Sequence, residues 1–272
     1  DTFRRGVIRP LRTTYSFATK RALTLPGATI SLKDQINEGC AYRKRGYDVY
    51  MPRINDNEAV PEQQHNQSTT NALVLISGAL VEHVAYSEIA YQLSKRGCLV
   101  VVISLEPTRY AEFLTSSRLA SIQRGIEQRH HPASWTICGH SAGARRALEI
   151  VIALGIPKIV MWGFPFFYLK EFADLQENDA QRLLLVQGSN DPGVSRISED
   201  SQTRQVLPSF EIFSKSFPRN AKQVVVPGGS HKFFGSYTPR FYFSPGDDAD
   251  ISREEQQSIV ADLTAEFVND ES

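Results

Sequence analysis

Trp135-Thr136-Ile137-Cys138-Gly139-His140-Ser141-Ala142-Gly143-Ala144 decides how the rest of the chain reads. A short apolar run climbs to a serine with glycine two residues away on each side, and a helix-forming segment from Arg145 to Gly155 follows at once. Strand, Gly-x-Ser-x-Gly and helix, in that order, meet the needs of a sharp strand-to-helix turn, because no side chain may crowd the backbone where it reverses. Such a turn lifts the serine hydroxyl clear of the sheet and sets a helix N-terminus beneath it, where negative charge is favoured. The same letters also fit an ordinary glycine-rich turn with an inert serine, so the flanking elements and the residues downstream carry the distinction.

Working outward, Leu73-Val74-Leu75-Ile76 is a continuous apolar run of the kind buried on both faces of a parallel sheet. It ends in Ser77-Gly78-Ala79-Leu80, where the glycine lets backbone N–H groups turn inward. Ahead of it, Tyr47 to Met51 alternates and predicts an early strand closed by Pro52, followed by a polar loop from Asn55 to Asn71. Behind it, Tyr86 to Arg96 spaces Ile89, Ala90 and Leu93 helically until Gly97 stops the helix, and Leu99 to Ile103 is the next buried strand. Arg109 to Gln128 predicts another helix with Phe113, Leu119, Ile122 and Ile126 inward.

Beyond the serine, strands are predicted at Lys158 to Trp162, Arg182 to Gln187 and Gln223 to Val226. A terminal helix from Ser252 to Val268 is opened by Ser252 as cap with Glu255 three residues on, and turns Ile259, Leu263 and Phe267 inward. Alternation of strand and helix predicts an α/β fold with a doubly wound, mainly parallel sheet and right-handed crossovers. The expected division is a basic N-terminal arm and lead-in over residues 1–46 and a single domain over 47–272.

Thirty basic and thirty acidic residues cancel, which removes a general electrostatic drive toward nucleic acid or an anionic membrane and points to a small-molecule partner. Cys40, Cys98 and Cys138 are too few and too scattered for a disulfide framework or a zinc site, and Cys98 and Cys138 adjoin apolar strands as buried thiols would. The longest apolar region, Ala147 to Leu169, is broken by Glu149, Pro157 and Lys158, so no transmembrane segment is expected. Thr2 to Lys33 is basic with no acidic residue, a bias shared by organelle-targeting sequences and by surface arms. The composition leans toward an intracellular or organellar chain and says nothing of oligomeric state.

Taken together, these stretches resemble the alpha/beta-hydrolase superfamily of serine hydrolases, and more narrowly its small-lid fold-5 group near the dienelactone-hydrolase-like enzymes. The resemblance runs from Tyr47 to the C-terminus. It rests on Ser77-Gly78-Ala79-Leu80-Val81 with Tyr86, on Gly139-His140-Ser141-Ala142-Gly143, and on Gly188-Ser189-Asn190-Asp191. It rests further on Gly228-Gly229-Ser230-His231 with Phe234-Gly235, and most specifically on Ile251-Ser252-Arg253-Glu254-Glu255-Gln256. The fold it implies is an alpha/beta-hydrolase domain with a minimal lid.

It also implies a catalytic triad in the order Ser, acid, His. Serine needs a base, and among six histidines His231 stands out. It follows the last core strand behind a flexible Pro227-Gly228-Gly229-Ser230 loop that can return an imidazole to the ligand-binding edge of the sheet. His65 lies in the polar loop, His130 and His131 end a helix, His140 is expected to point away from the serine's site, and His83 either lines the pocket or is a solvated loop residue. Asp191, presented after Arg182 to Gln187, fits the orienting acid, although an aspartate before Pro192 also initiates turns. The resemblance assigns the oxyanion hole to the N–H groups of Ala142 and of the loop after Gly78, with Ala79 the first choice and Leu80 the second.

The expected substrate is a carboxylic ester, or a related acyl compound, that is small and apolar, with Leu80, Phe164 and Phe234 as candidate contacts. Aromatic clusters at 162–168 and 233–243 suit an apolar pocket or the core of a small lid equally well. Arg145 and Arg146 either reach an anionic substrate or form a solvated helix face. No cofactor and no metal is called for: glycines do not recur at dinucleotide or phosphate-loop spacing. An acyltransferase or thioesterase with the same triad, and a non-catalytic ligand-binding protein on a hydrolase scaffold, stay open as alternatives.

Overall fold

Strands with apolar residues on both sides must be covered on both sides, and that requirement builds the molecule. The computed structural model describes residues 22–53, 70–164, 182–191, 221–238 and 248–270. After a short β1 (Leu23–Thr24) come α1 (Pro26–Asn37), β2 (Ala41–Lys44), β3 (Tyr47–Tyr50), β4 (Asn71–Ile76), α2 (Ser87–Lys95) and β5 (Leu99–Ile103). Then follow α3 (Ser116–His130), β6 (Ser134–His140), α4 (Ala142–Leu154), β7 (Lys158–Trp162) and β8 (Arg182–Gly188). The chain continues through β9 (Ala221–Val226), β10 (Tyr237–Thr238) and α5 (Arg253–Asn269).

Eight strands form one sheet in the order β2-β3-β5-β4-β6-β7-β8-β9. The six from β5 to β9 pair in parallel, while β2 and β3 form an antiparallel edge. The chain passes from β4 outward to β5 and then returns to the other side of β4 as β6. The loops that follow β4 and β6 therefore lie side by side where the strand order reverses, the place where open α/β sheets bind ligands.

Alternation along the strands sorts the core into two layers. Val74, Ile76, Val101 and Ile103 pack under Leu119, Ile122 and Ile126 of α3 and Ala147, Leu148 and Val151 of α4. Leu73, Leu75, Val100, Val102 and Trp162 face Leu32 of α1, Ile89 and Leu93 of α2, and Val260, Ala261 and Val268 of α5.

Three local features depart from the periodicity reading. The helix after β5 starts at Ser116, because the Thr115 hydroxyl accepts the N–H of Arg118 at 3.1 Å and caps it there. Residues 111–113 form a separate 3₁₀ turn, and Phe113, expected inward, is 65% exposed. The terminal helix is capped by Ser252, whose Oγ accepts the N–H of Glu255 at 3.1 Å. Its buried face is led by Val260, Ala261, Thr264, Phe267 and Val268, with Ile259 and Leu263 partly covered. A polar residue belongs in that face because the buried Trp162 Nε1–H donates to Thr264 Oγ1 at 3.1 Å.

The lead-in before Tyr47 contributes α1 and the edge strand β2, and β1 pairs with β10 in a small second sheet. The basic residues before 22, the polar loop over 54–69, and the aromatic residues Phe166, Phe167, Tyr168, Phe241, Tyr242 and Phe243 lie outside the described residues. Among the described residues no helix is long and apolar enough to cross a membrane.

All three cysteines are free and buried. Burial pushes the Cys98 thiol up to about 12 and that of Cys138 well above its ordinary value, so both stay protonated and unreactive at mildly alkaline pH. Alkylation of native protein at about pH 8 should leave both unmodified until denaturant is added; peptide mass spectrometry before and after unfolding checks this.

Candidate active site

Ser141 sits one residue beyond β6, where its N–H donates to the carbonyl of Trp162 at 2.9 Å and carries the β6–β7 ladder one step further. Its backbone is forced to φ 53° and ψ −121°, left-handed territory that costs a non-glycine residue about 1–3 kcal/mol. The flanking glycines make this possible. A Cβ on Gly139 would lie 2.2 Å from the carbonyl oxygen of Gly143, and one on Gly143 would lie 2.4 Å from the carbonyl oxygens of Ile76 and Ser77. The turn is thus pressed against the end of β4. Ala142 opens α4, so its N–H has no carbonyl a turn earlier and lies at the positive end of the helix.

The loops after β8 and β9 interlock at the same edge. Ser189 donates its N–H to the carbonyl of Val226 at 2.9 Å, Asn190 to Gly229 at 2.8 Å, and Asp191 to Gly188 at 3.1 Å. A Cβ on Gly188 would lie 2.4 Å from the carbonyl of Gly229, so only glycine permits this closeness. From α5, the buried Gln256 clamps the residue before His231 twice: its Oε1 accepts the Ser230 N–H and its Nε2 donates to the Ser230 carbonyl, both at 2.8 Å.

That clamp delivers His231 Nδ1 to 2.8 Å from Oδ2 of the buried Asp191. A carboxylate accepts, so Nδ1 carries the proton, and the neutral ring then has its lone pair on Nε2, the tautomer a general base requires. A Cβ on Gly163 (φ 55°) would lie 2.9 Å from His231 Nδ1, so the bare glycine makes room for the ring.

Across the switch point, the N–H groups of the loop after β4 are differently engaged. Gly78 donates to Tyr86 Oη at 2.9 Å and Leu80, at φ 62°, donates to the carbonyl of Arg109 at 2.8 Å. Among the described residues, no backbone or side-chain acceptor meets the N–H of Ala79 between them.

Other expected residues lie elsewhere. Phe164 (1% exposed) and Phe234 (0%) are closed into the core, the latter with its ring stacked 6.1 Å from that of Trp162. Neither meets a ligand without moving, whereas Leu80 is half-buried at the crest of its loop. His83 is neither solvated nor in the site, since its Nε2 pairs at 3.2 Å with Asp48, which also binds Arg43. That buried carboxylate is held below its ordinary range by His83 and Arg43 against the opposing effect of desolvation. Arg145 pairs with Glu149 at 3.3 Å, and Arg146 donates to the Leu114 carbonyl at 2.7 Å. Among the described residues no group of three or more His, Cys, Asp or Glu side chains converges as a metal site would.

Periodicity overlooked His140. Expected to point away from the serine's site, it has a buried ring that meets the ring of His231 at 4.8 Å between centroids. Its Nε2 donates to the His231 carbonyl at 3.1 Å and its Nδ1 lies 2.8 Å from Tyr86 Oη. Burial, reinforced by the neighbouring His231, holds His140 well below the ordinary imidazole range, so it is neutral. Gln256 was equally hidden, although it closes the most group-specific stretch of the sequence.

Similarity to known proteins agrees with this architecture. The sequence profile of the alpha/beta hydrolase family matches residues 72–258. No curated protein matches the chain. Among solved structures, it is similar to a dienelactone hydrolase from Anabaena variabilis at 16% identity and a TM-score of 0.51, over 81% of this chain and 89% of that one. It is also similar to an alpha-beta serine hydrolase homologue from Coxiella burnetii, at 15% identity and a TM-score of 0.51 over 82% of this chain and 94% of the other. A third similar structure is the fluorophosphonate-binding serine hydrolase F of Staphylococcus aureus, at 13% identity and 0.52, over 85% and 97%. At such identities these likenesses speak for the fold. The family profile spans the strand before Ser77, the serine turn and the His231 loop, and on that match this chain belongs to the alpha/beta hydrolase family.

Proposed function

We propose that this chain is a serine hydrolase that cleaves a carboxylic ester, or a related acyl bond, of a small substrate through an acyl-enzyme. The observation that carries this reading is the 2.8 Å contact between Asp191 Oδ2 and His231 Nδ1 at the sheet edge where Ser141 stands in its forced backbone conformation.

In this reading His231 Nε2 takes the proton of Ser141 Oγ, and the oxygen attacks the acyl carbonyl. The N–H groups of Ala142 and Ala79 receive the tetrahedral oxyanion. Ala79 is preferred over Leu80 because the Leu80 N–H is already given to Arg109. Each such donor is worth about 3 kcal/mol in the transition state. His231 returns the proton to the leaving alcohol, Asp191 steadies the imidazolium, and water repeats the cycle to release the acid.

The expected apolar character of the substrate has narrower support. Phe164 and Phe234 belong to the core, and of the three expected contacts Leu80 alone stands half-buried beside the Ala79 N–H.

Assay of native protein and Ser141→Ala on a panel of esters varied in acyl length and alcohol should show turnover lowered about a thousandfold or more in the variant. Equal rates in the two proteins would retire the mechanism, and product appearing on an added alcohol rather than water would turn it into acyl transfer. Gly163→Ala should press His231 off Asp191 and lower kcat about a hundredfold; steady-state kinetics on the best ester of the panel measure this.

A further inference from the structure

Two buried rings join loops that no strand pairing connects. The order of donors along the line follows from what each atom is able to do. A carbonyl only accepts, so the bond between His140 Nε2 and the His231 oxygen requires the proton on Nε2. Neutral His140 then has a bare Nδ1, which accepts the O–H of Tyr86 at 2.8 Å, and the Tyr86 oxygen accepts the N–H of Gly78 at 2.9 Å. One unbroken line runs from Gly78 through Tyr86 and His140 to the backbone of His231, every bond pointing the same way.

We propose that Tyr86 and His140 are positioning residues that hold the loop bearing the Ala79 N–H at a fixed separation from the loop bearing His231; this rests on the reading of Ser141 and His231 given above. Simple core filling does not require such a line. Apolar side chains of the same volume would fill the space without desolvating a phenol and an imidazole, and buried polar groups persist where all their bonds are satisfied. Here they are satisfied by the backbones of two loops on opposite sides of Ser141.

The packing around the line is tight enough to transmit position. A Cβ on Gly78 would lie 3.0 Å from His140 Nδ1 and 3.3 Å from Tyr86 Oη, so the loop rests directly on both groups. Phe234 and Tyr237 flank the His140 ring at 5.3 and 6.4 Å. The neutral state of His140 matters as well, because His231 must become an imidazolium during turnover with its ring 4.8 Å away. A charged His140 would oppose that step and would turn an N–H toward the Tyr86 oxygen.

Tyr86→Phe in the full chain keeps the ring and removes the link. Its kcat is expected to fall about ten- to a hundredfold with KM within about twofold of native, since displaced catalytic groups slow chemistry more than binding. A folded Tyr86→Phe protein with kcat within about twofold of native would overturn the proposal. The native protein supplies a second test that needs no variant. Imidazole ¹⁵N chemical shifts at about pH 6, close to the ordinary histidine pKa, should show His140 neutral with its proton on Nε2. A protonated ring, or a proton on Nδ1, would overturn the line of bonds. Native protein inactive on every ester of the panel would refute the reading of Ser141 and the positioning role with it, whereas activity lost only in Tyr86→Phe supports both.

Discussion

The serine turn is a backbone problem before it is a chemical one. Ser141 has to follow a central strand, start a helix and stand off the sheet within a single residue, which is possible only at a positive φ. The conformation is held from three sides: the ladder to Trp162, the first turn of α4, and the contact of Gly143 with the end of β4. Remove the room provided at Gly139 or Gly143 and a methyl group collides with backbone that has no freedom to retreat. The switch-point topology, the two-layer core and the adjacency of the loops after β4 and β6 all converge on that turn.

Around it, the site is built from loops held by polar groups rather than by apolar packing alone. The loops after β8 and β9 share hydrogen bonds, Gln256 holds Ser230 from the terminal helix, and Tyr86 with His140 reaches from the loop after β4 to the backbone of His231. The Gln256 amide, the Tyr86 hydroxyl and both ring nitrogens of His140 each have a partner, which makes these links stiff; left unpaired, each would cost about 1–3 kcal/mol. The terminal helix, far along the chain from the serine, thereby becomes part of the support of the site.

Much of this was legible in the letters. Strands β4, β5, β7 and β8 announce themselves as apolar runs because both of their faces are covered, and the glycines around Ser141, Asp191 and His231 mark the places where chains cross too closely for a side chain. What resisted reading was set by tertiary partners. The hydroxyl of Thr115 fixes the start of α3 and leaves Phe113 outside. Thr264 sits in a buried helix face because Trp162 needs an acceptor. His140 and Gln256 look unremarkable in sequence, since alternation says which way a side chain points and not which loop will be waiting there. Phe164 and Phe234, which composition alone could assign to pocket or core, are in the core.

The central claim is that Ser141 is activated by a histidine brought from ninety residues downstream, at position 231. Intact-mass measurement after treatment with a fluorophosphonate, followed by sequencing of the modified peptide, tests it most directly. A single adduct on Ser141 in native protein, lost in His231→Ala, is the expected result. No adduct, an adduct on another residue, or labelling of Ser141 at an unchanged rate without His231 would contradict the account.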